Sequence, residues 1–240
     1  MVVMGFRSAP QLKTAAEIAK LREVNLVVAE VLDEVGARVA AGVSTWELEE
    51  CARGIIKRRK VTPAFLGYTP GDGIPPFPAV LCTSRNEVIV HGIPRKDDVL
   101  RDGDILSVDF GCFKDGWCGD SARTFPVGPI SKEAERLLAT TRAGLEAAIA
   151  QARVGNRLGD VSAAVQAVVE AAGFAVVRKF VGHGIGRAMH EAPQVPNFGT
   201  AGRGQRLYRG LVMAIEPMVN VGDWRTRVGD DMWTVYTADG

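Results

Sequence analysis

Cysteine is scarce in this chain: four in 240 residues, Cys51, Cys82, Cys112 and Cys118, with no C-x-x-C pair among them. So few thiols exclude a disulfide-stapled scaffold and a Cys-rich structural zinc site, and predict reduced, partly buried side chains. No apolar run approaches the roughly 20 residues that a membrane-spanning helix needs, and the first residues lack the charged-then-apolar layout of a secretory signal. These absences point to a cytoplasmic protein without a membrane partner. A surplus of charge is missing as well: 29 basic against 28 acidic residues give a formal net charge of +1. That balance provides no global attraction to nucleic acid, acidic substrates or anionic lipid. The basic run Lys57-Arg58-Arg59-Lys60 reads as the solvated end of a helix.

What is present is ordinary for a globular protein, 47% hydrophobic and 24% charged, enough for a sizeable core. From Thr14 to Val39 apolar residues recur every three or four positions (Ile18, Leu21, Val24, Val28, Val31, Val35, Val39), and Thr14-Ala-Ala-Glu17 matches a capping box. Gly42 breaks that helix, and Ser44-Thr-Trp-Glu47 begins a second that runs to about Lys57. Later, Ser131 can cap a long helix through Leu138, Leu145, Ile149 and Ala152; Gly155 follows, and another helix spans about Leu158 to Ala172, stopped by Gly173. Strand patterns fall at Ala79 to Cys82, Val88 to Val90, Asp104 to Phe110, Trp117 to Phe125, Ala175 to Phe180, Leu211 to Val219 and Met232 to Tyr236. Between them "PGDGIPPFP", with four prolines and two glycines in nine residues, predicts an irregular surface loop. Each half thus opens with a long helix, a Gly break and a shorter helix before passing into strands, a weak internal repeat that suggests a duplicated α+β domain.

Within "VDFGCFKDGWCGD", a two-residue loop at Asp115-Gly116 would pair Lys114 with Trp117, Gly111 with Asp120 and Asp109 with Ala122. Asp109 and Asp120 would then be diagonal neighbours on one face, roughly 7–8 Å apart at the backbone. Two carboxylates in one partly buried place need a proton or a cation between them, unless one faces solvent. The three histidines, His91, His183 and His190, lie in turn-rich or small-residue settings rather than on helix stripes. "LVMAIEPMV" places Glu216 in an otherwise apolar strand, where a buried carboxylate needs a partner or a metal. Two Asp, a Glu and a His on separate segments fit divalent cations.

The ordered segments "LKTAAEIAKLREVN", "AGVSTWELEE", "SRNEVIVHGIP", "LRDGDILSVDFG", "GWCGDSARTF", "VGHGIGRAMHEAPQVPNF", "VMAIEPMVN" and "DDMWTVYT" resemble the type I methionine aminopeptidases, bacterial short form, of the pita-bread metallopeptidases. The resemblance implies an α+β pita-bread fold: one catalytic domain over 1–240, with a curved antiparallel sheet flanked by two pairs of helices in pseudo-two-fold symmetry. It implies two divalent ions (manganese, iron, cobalt or zinc) bound by Asp109, Asp120, His183 and Glu216, with Asp120 shared and a metal-bridging hydroxide as the nucleophile. Glu216 would also be the general base, His190 would stabilise the tetrahedral oxygen, and His91 would orient the scissile amide. Phe65, Tyr68, Phe77, Cys82, Met189 and Trp233 fall on positions of the methionine pocket; the family more often has Phe where Met189 stands, and the Pro-rich loop is about six residues longer than the family leads one to expect.

The implied substrate is a nascent polypeptide or peptide with an N-terminal methionine and a small second residue, the implied state a monomer, and ribosome contact follows only from nascent chains being the substrate. The family's later strand, whose Glu bridges both metals, is absent from the sequence as given, so weakened metal binding and impaired turnover are expected of these 240 residues. Two other readings keep the fold and change the function: an inert pita-bread binding protein, and a proline-directed exopeptidase.

Overall fold

Thr14 and Glu17 open the first helix by exchanging bonds: the Glu17 amide donates to Thr14 Oγ1 at 3.3 Å, and the Thr14 amide donates to Glu17 Oε2 at 2.9 Å. This capping box satisfies amides that a helix start leaves without intrahelical partners. The computed structural model describes residues 9–239. Helix α1 (Ala15–Gly36) buries Leu21, Val24, Val28, Val31 and Val35 along one stripe, each contributing roughly 1.5–3 kcal/mol when fully buried. Two expected members fall outside it. Ile18 is 41% exposed, and the helix stops short of Val39, where bonds from Arg38 to the Val35 carbonyl and from Val39 to the Gly36 carbonyl tighten the last turn. Helix α2 (Thr45–Arg59) carries the Ser44–Glu47 capping box and ends at Lys60 in the left-handed region, φ 54°. Its basic end is exposed, and Arg58 and Arg59 pair with Glu34 and Glu30 of α1 at 2.6 and 2.8 Å.

The chain continues through β1 (Thr62–Pro63), β2 (Leu81–Arg85), β3 (Val88–Val90), β4 (Ile105–Lys114), β5 (Trp117–Pro126), α3 (Lys132–Gln151), α4 (Leu158–Ala171), β6 (Ala175–Val176), β7 (Gly182–Gly184), β8 (Glu191–Val195), β9 (Met213–Ala214), β10 (Val219–Asn220), β11 (Thr226–Val228) and β12 (Val235–Thr237). Residues 70–78 carry neither helix nor strand, as their prolines predict.

Contacts divide the chain into two compact units. The first comprises Ala19–Lys132 with Arg227–Tyr236. In it β1, β4 and β2 lie side by side with β5 on β4, all antiparallel, and β12 pairs with β3 through Val235–Val90 and Tyr236–Val88. Its core joins the α1 stripe to Leu48, Ala52 and Ile55 of α2 and to Leu81, Leu106, Val108, Phe110 and Trp117 of the strands. The second unit comprises Glu133–Thr226 with the residues up to Ile18 and from Thr237. There β8, β7 and β9 form one small antiparallel sheet and β10 pairs with β6. Ala148, Val161, Val165, Val169, Phe174, Val176, Val195, Leu207 and Val219 form its core.

Several expected elements are corrected. Strand β2 begins at Leu81, not Ala79, and runs on to Arg85. The Leu211–Val219 strand is broken into β9 and β10, and Glu216 lies in the irregular stretch between them. Pro217 accounts for the break: it has no amide to donate and disfavours regular continuation at the residue before it. Only Ala175–Val176 of the Ala175–Phe180 segment pairs as strand. Met232 turns at φ 63°, so the last strand begins at Val235. In α3 Ile149 is 56% exposed, and the face is buried through Gly144 and Ala148. Strands β7 and β8 were not expected, because "GHG" and "EAPQV" lack apolar alternation.

Candidate active site

Asp115 and Gly116 make the two-residue turn between β4 and β5 with φ of 51° and 74°, the doubly left-handed form that suits the twist of a hairpin. Lys114 pairs with Trp117, Gly111 with Asp120 and Asp109 with Ala122, which puts both acids on one face. Cys82 of β2 stands opposite Asp109 and joins that face. The other face of β4 presents Leu106, Val108, Phe110 and Cys112 to the core. Asn25 of α1 reaches the hairpin: its Oδ1 accepts from the Asp120 amide at 3.4 Å, while its Nδ2 donates to the Leu21 carbonyl at 2.8 Å.

The acids create a negative field that neighbouring thiols register. Burial pushes the Cys82 thiol well above the ordinary cysteine value, and the charges of Asp109, Asp120 and Glu49 push it further. Burial, helped by Asp120, lifts Cys112 to about 12. Both thiols therefore stay protonated.

The same unit gathers an aromatic cluster. The Trp233 ring meets Phe77 edge-on at 5.1 Å, Tyr68 at 6.4 Å and the His91 imidazole at 6.2 Å. Trp233 Nε1 donates to the Pro75 carbonyl at 2.8 Å, so the Pro-rich loop is tied to this ring. Asp231 Oδ1 accepts from the Trp233 and Thr234 amides at 2.9 and 2.8 Å, fixing the turn that delivers the indole. His91 has φ 59°, and burial lowers its imidazole to about 4, so it is neutral near pH 7. Phe65 is buried, and its carbonyl accepts from the Tyr68 amide; Cys82 belongs to the acid-bearing face of β2 and β4.

In the second unit His183 sits in the middle of β7, with β8 and β9 on either side. Its Nδ1 lies 2.9 Å from the Gly184 carbonyl, an acceptor, so Nδ1 carries a proton and Nε2 is the ring nitrogen turned toward Glu216. That Nε2 stands 3.1 Å from Glu216 Oε1. The His190 ring lies across the His183 ring at 4.4 Å and 76°. Glu216 is more open than expected of a strand-buried acid, its side chain 38% exposed; buried Asn197 holds its backbone, donating from Nδ2 to the Glu216 carbonyl at 2.7 Å. Met189 is buried in this unit.

The donor sets suit a divalent cation in both units. In the first, two carboxylates share a half-buried face whose field already burdens two thiols. In the second, an imidazole nitrogen and a carboxylate oxygen confront each other, an arrangement that calls for a proton or a cation between them. Carboxylate oxygen with one imidazole is the donor chemistry of manganese, iron, cobalt or zinc.

Residues 19–235 match the family described as metallopeptidase family M24. The chain belongs to metallopeptidase family M24. Among its relatives, the methionine aminopeptidase of Clostridium perfringens is 47% identical over 229 residues, 95% of this chain and 89% of that protein. That of Clostridium acetobutylicum is 44% identical over the same shares. The crystal structure of the methionine aminopeptidase from Thermotoga maritima superposes with a TM-score of 0.91 at 44% identity, covering 96% of this chain and 90% of that one. The fold is accordingly the α+β pita-bread fold. M24 membership also carries divalent-metal use. Sequence reasoning missed Asn25, Asn197 and Asp231, which hold Asp120, Glu216 and Trp233 in this M24 chain; only Asp231, an Asp two residues before an aromatic in a turn, left a local signal.

Proposed function

We propose that this chain is a metal-dependent aminopeptidase that removes the N-terminal methionine from nascent proteins and peptides whose second residue is small. Support for this activity comes from its M24 membership and its 44–47% identity to methionine aminopeptidases over nearly the whole chain. On this reading residues 1–240 form one catalytic domain, C-terminally incomplete, and Asp109, Asp120, His183 and Glu216 are the residues that would hold the divalent ions. When bound, these ions lower the pKa of water toward neutrality and offset the carboxylate charge.

The remaining roles belong to the protein's own side chains. Glu216 takes the proton from the attacking water and passes it toward the leaving amine. His190 donates to the substrate carbonyl oxygen as charge develops there, a contact stronger in the transition state than in the ground state. His91, neutral because it is buried, orients the scissile amide without adding charge beside the incoming α-amine. Tyr68, Phe77 and Trp233 wrap the methionine thioether in aromatic surface, with Phe65, Cys82 and Met189 completing the pocket; sulfur against aromatic edges contributes about 0.3–1.5 kcal/mol per contact.

On this reading the protein is a cytoplasmic monomer that makes transient contact with the ribosome, as nascent chains are its substrate. Among the described residues no helix is long and apolar enough to cross a membrane. The observation that carries the catalytic reading is the His183–Glu216 confrontation at 3.1 Å. The test is methionine release from Met-Ala-Ser with Mn(II), Co(II), Fe(II) or Zn(II) added singly. Release that stops with chelator, returns with metal and spares Xaa-Pro peptides is expected. Metal binding without release would point to the inert binding protein, and preferential cleavage before proline to the proline-directed exopeptidase.

A further inference from the structure

Lys13 is a lysine taken almost wholly out of water. Its side chain is 4% exposed, and its ammonium meets Glu191 Oε2 at 2.5 Å, the glutamate side chain being 9% exposed. The same ammonium donates to the Gln11 carbonyl at 3.0 Å, and the Lys13 amide donates to the Gly210 carbonyl at 2.6 Å. The other carboxylate oxygen, Glu191 Oε1, accepts from the backbone amides of Arg187 at 2.7 Å and Ala188 at 3.2 Å. Two glycines make room for the pair. A Cβ on Gly186 would stand 2.4 Å from Lys13 Cε and 2.7 Å from Glu191 Oε1, and one on Gly210 would stand 2.4 Å from the Lys13 carbonyl oxygen. Every one of these residues lies in the second unit.

Burying two charges costs several kcal/mol per ion, and apolar residues of similar volume often stabilise a fold as well or better. Stability alone is therefore a weak account of the pair. What the pair does specifically is brace the turn of residues 185–190 that joins β7 to β8. Arg187 and Ala188 at its tip are exposed and offer little packing; the Glu191 carboxylate is what gathers their amides. The turn ends in His190, adjacent to Glu191 in the chain and 4.4 Å from the His183 ring.

We propose that Lys13 and Glu191 are positioning residues for His190: the carboxylate clamps the turn, the buried ammonium fixes the carboxylate, and the imidazole is presented to the substrate in one orientation. This rests on the reading of His190 as the group that bonds the substrate carbonyl oxygen.

A double-mutant cycle on the full chain, loaded with Mn(II) and assayed on Met-Ala-Ser, decides it. Lys13→Met keeps the stem and removes the ammonium. It is expected to lower kcat about tenfold or more while KM and the Mn(II) affinity measured by calorimetry stay within about twofold, and in a His190→Ala background the same change should alter kcat by less than about twofold. Equal losses in both backgrounds, or a folded Lys13→Met enzyme with unaltered kcat beside a crippled His190→Ala enzyme, overturn the positioning role alone. Unaltered kcat in His190→Ala overturns the reading of His190 and the positioning role with it. Should Lys13→Met not fold, Glu191→Gln, which keeps shape and an acceptor oxygen, replaces it in the cycle, and the same comparisons decide.

Discussion

Nε2 of His183 and Oε1 of Glu216 stand 3.1 Å apart, and the Gly184 carbonyl on the far side of the ring holds the proton on Nδ1. The imidazole nitrogen and the carboxylate oxygen confront each other across that gap, a contact that calls for a proton or a cation between them. Removing the negative charge of Glu216 without changing its shape should therefore damage both metal retention and proton transfer. Glu216→Gln is expected to lower kcat on Met-Ala-Ser by about 100-fold to 10,000-fold, and to weaken Mn(II) binding in calorimetry. Wild-type turnover in the folded variant would remove Glu216 from the mechanism.

His91 supplies a pH-dependent contribution to stability. Its folded pKa, about 4, lies below the ordinary 6.5 because of burial, so as pH falls the unfolded chain takes the proton first. The contribution is fully present above 6.5 and is lost as pH falls toward 4. His91→Asn, which tolerates the left-handed backbone, should flatten the fall of the urea midpoint between pH 6.5 and 4. An unchanged pH slope would mean that the imidazole is not held neutral.

Trp233 anchors the aromatic cluster through Phe77, Tyr68 and the Pro75 carbonyl. Trp233→Ala should raise KM for methionyl peptides about tenfold, corresponding to about 1.4 kcal/mol of lost ground-state binding, with stability reduced by roughly 3–5 kcal/mol. Steady-state kinetics and urea denaturation check the two arms separately.

Glu49 is fully buried and accepts from the Val80 and Leu81 amides, both at 2.9 Å, and from Arg53 Nε at 2.8 Å. Glu49→Ala orphans two buried amides at the start of β2, and an unsatisfied buried donor costs about 1–3 kcal/mol. A drop of that size in chemical denaturation, with Met-Ala-Ser turnover in the folded fraction preserved, is expected.

How much of this could be read from the residues alone depended on distance along the chain. The β4–β5 hairpin and its acid pairing were legible because a two-residue turn and a period of two fix register locally. The Thr14 and Ser44 capping boxes were legible for the same reason: each partner lies three residues away. Glu49 meets its amides 31 and 32 residues away and Asn25 meets Asp120 at a separation of 95, so neither announces its role. The break at Glu216 was written in the following proline, which an apolar reading of "LVMAIEPMV" overlooked. The metal-ligand and pocket roles came from family resemblance rather than from pattern.

Trp233 donates to a carbonyl 158 positions earlier in the chain, whereas the two acids of the hairpin are joined by a single short turn. A growing chain can therefore form the acid-bearing hairpin soon after residue 126 is made, but cannot close the aromatic cluster until residue 233 has emerged. Contacts of such long sequence separation form late and slowly. The aromatic cluster thus closes only well after the acid-bearing hairpin has become possible as this polypeptide is synthesised.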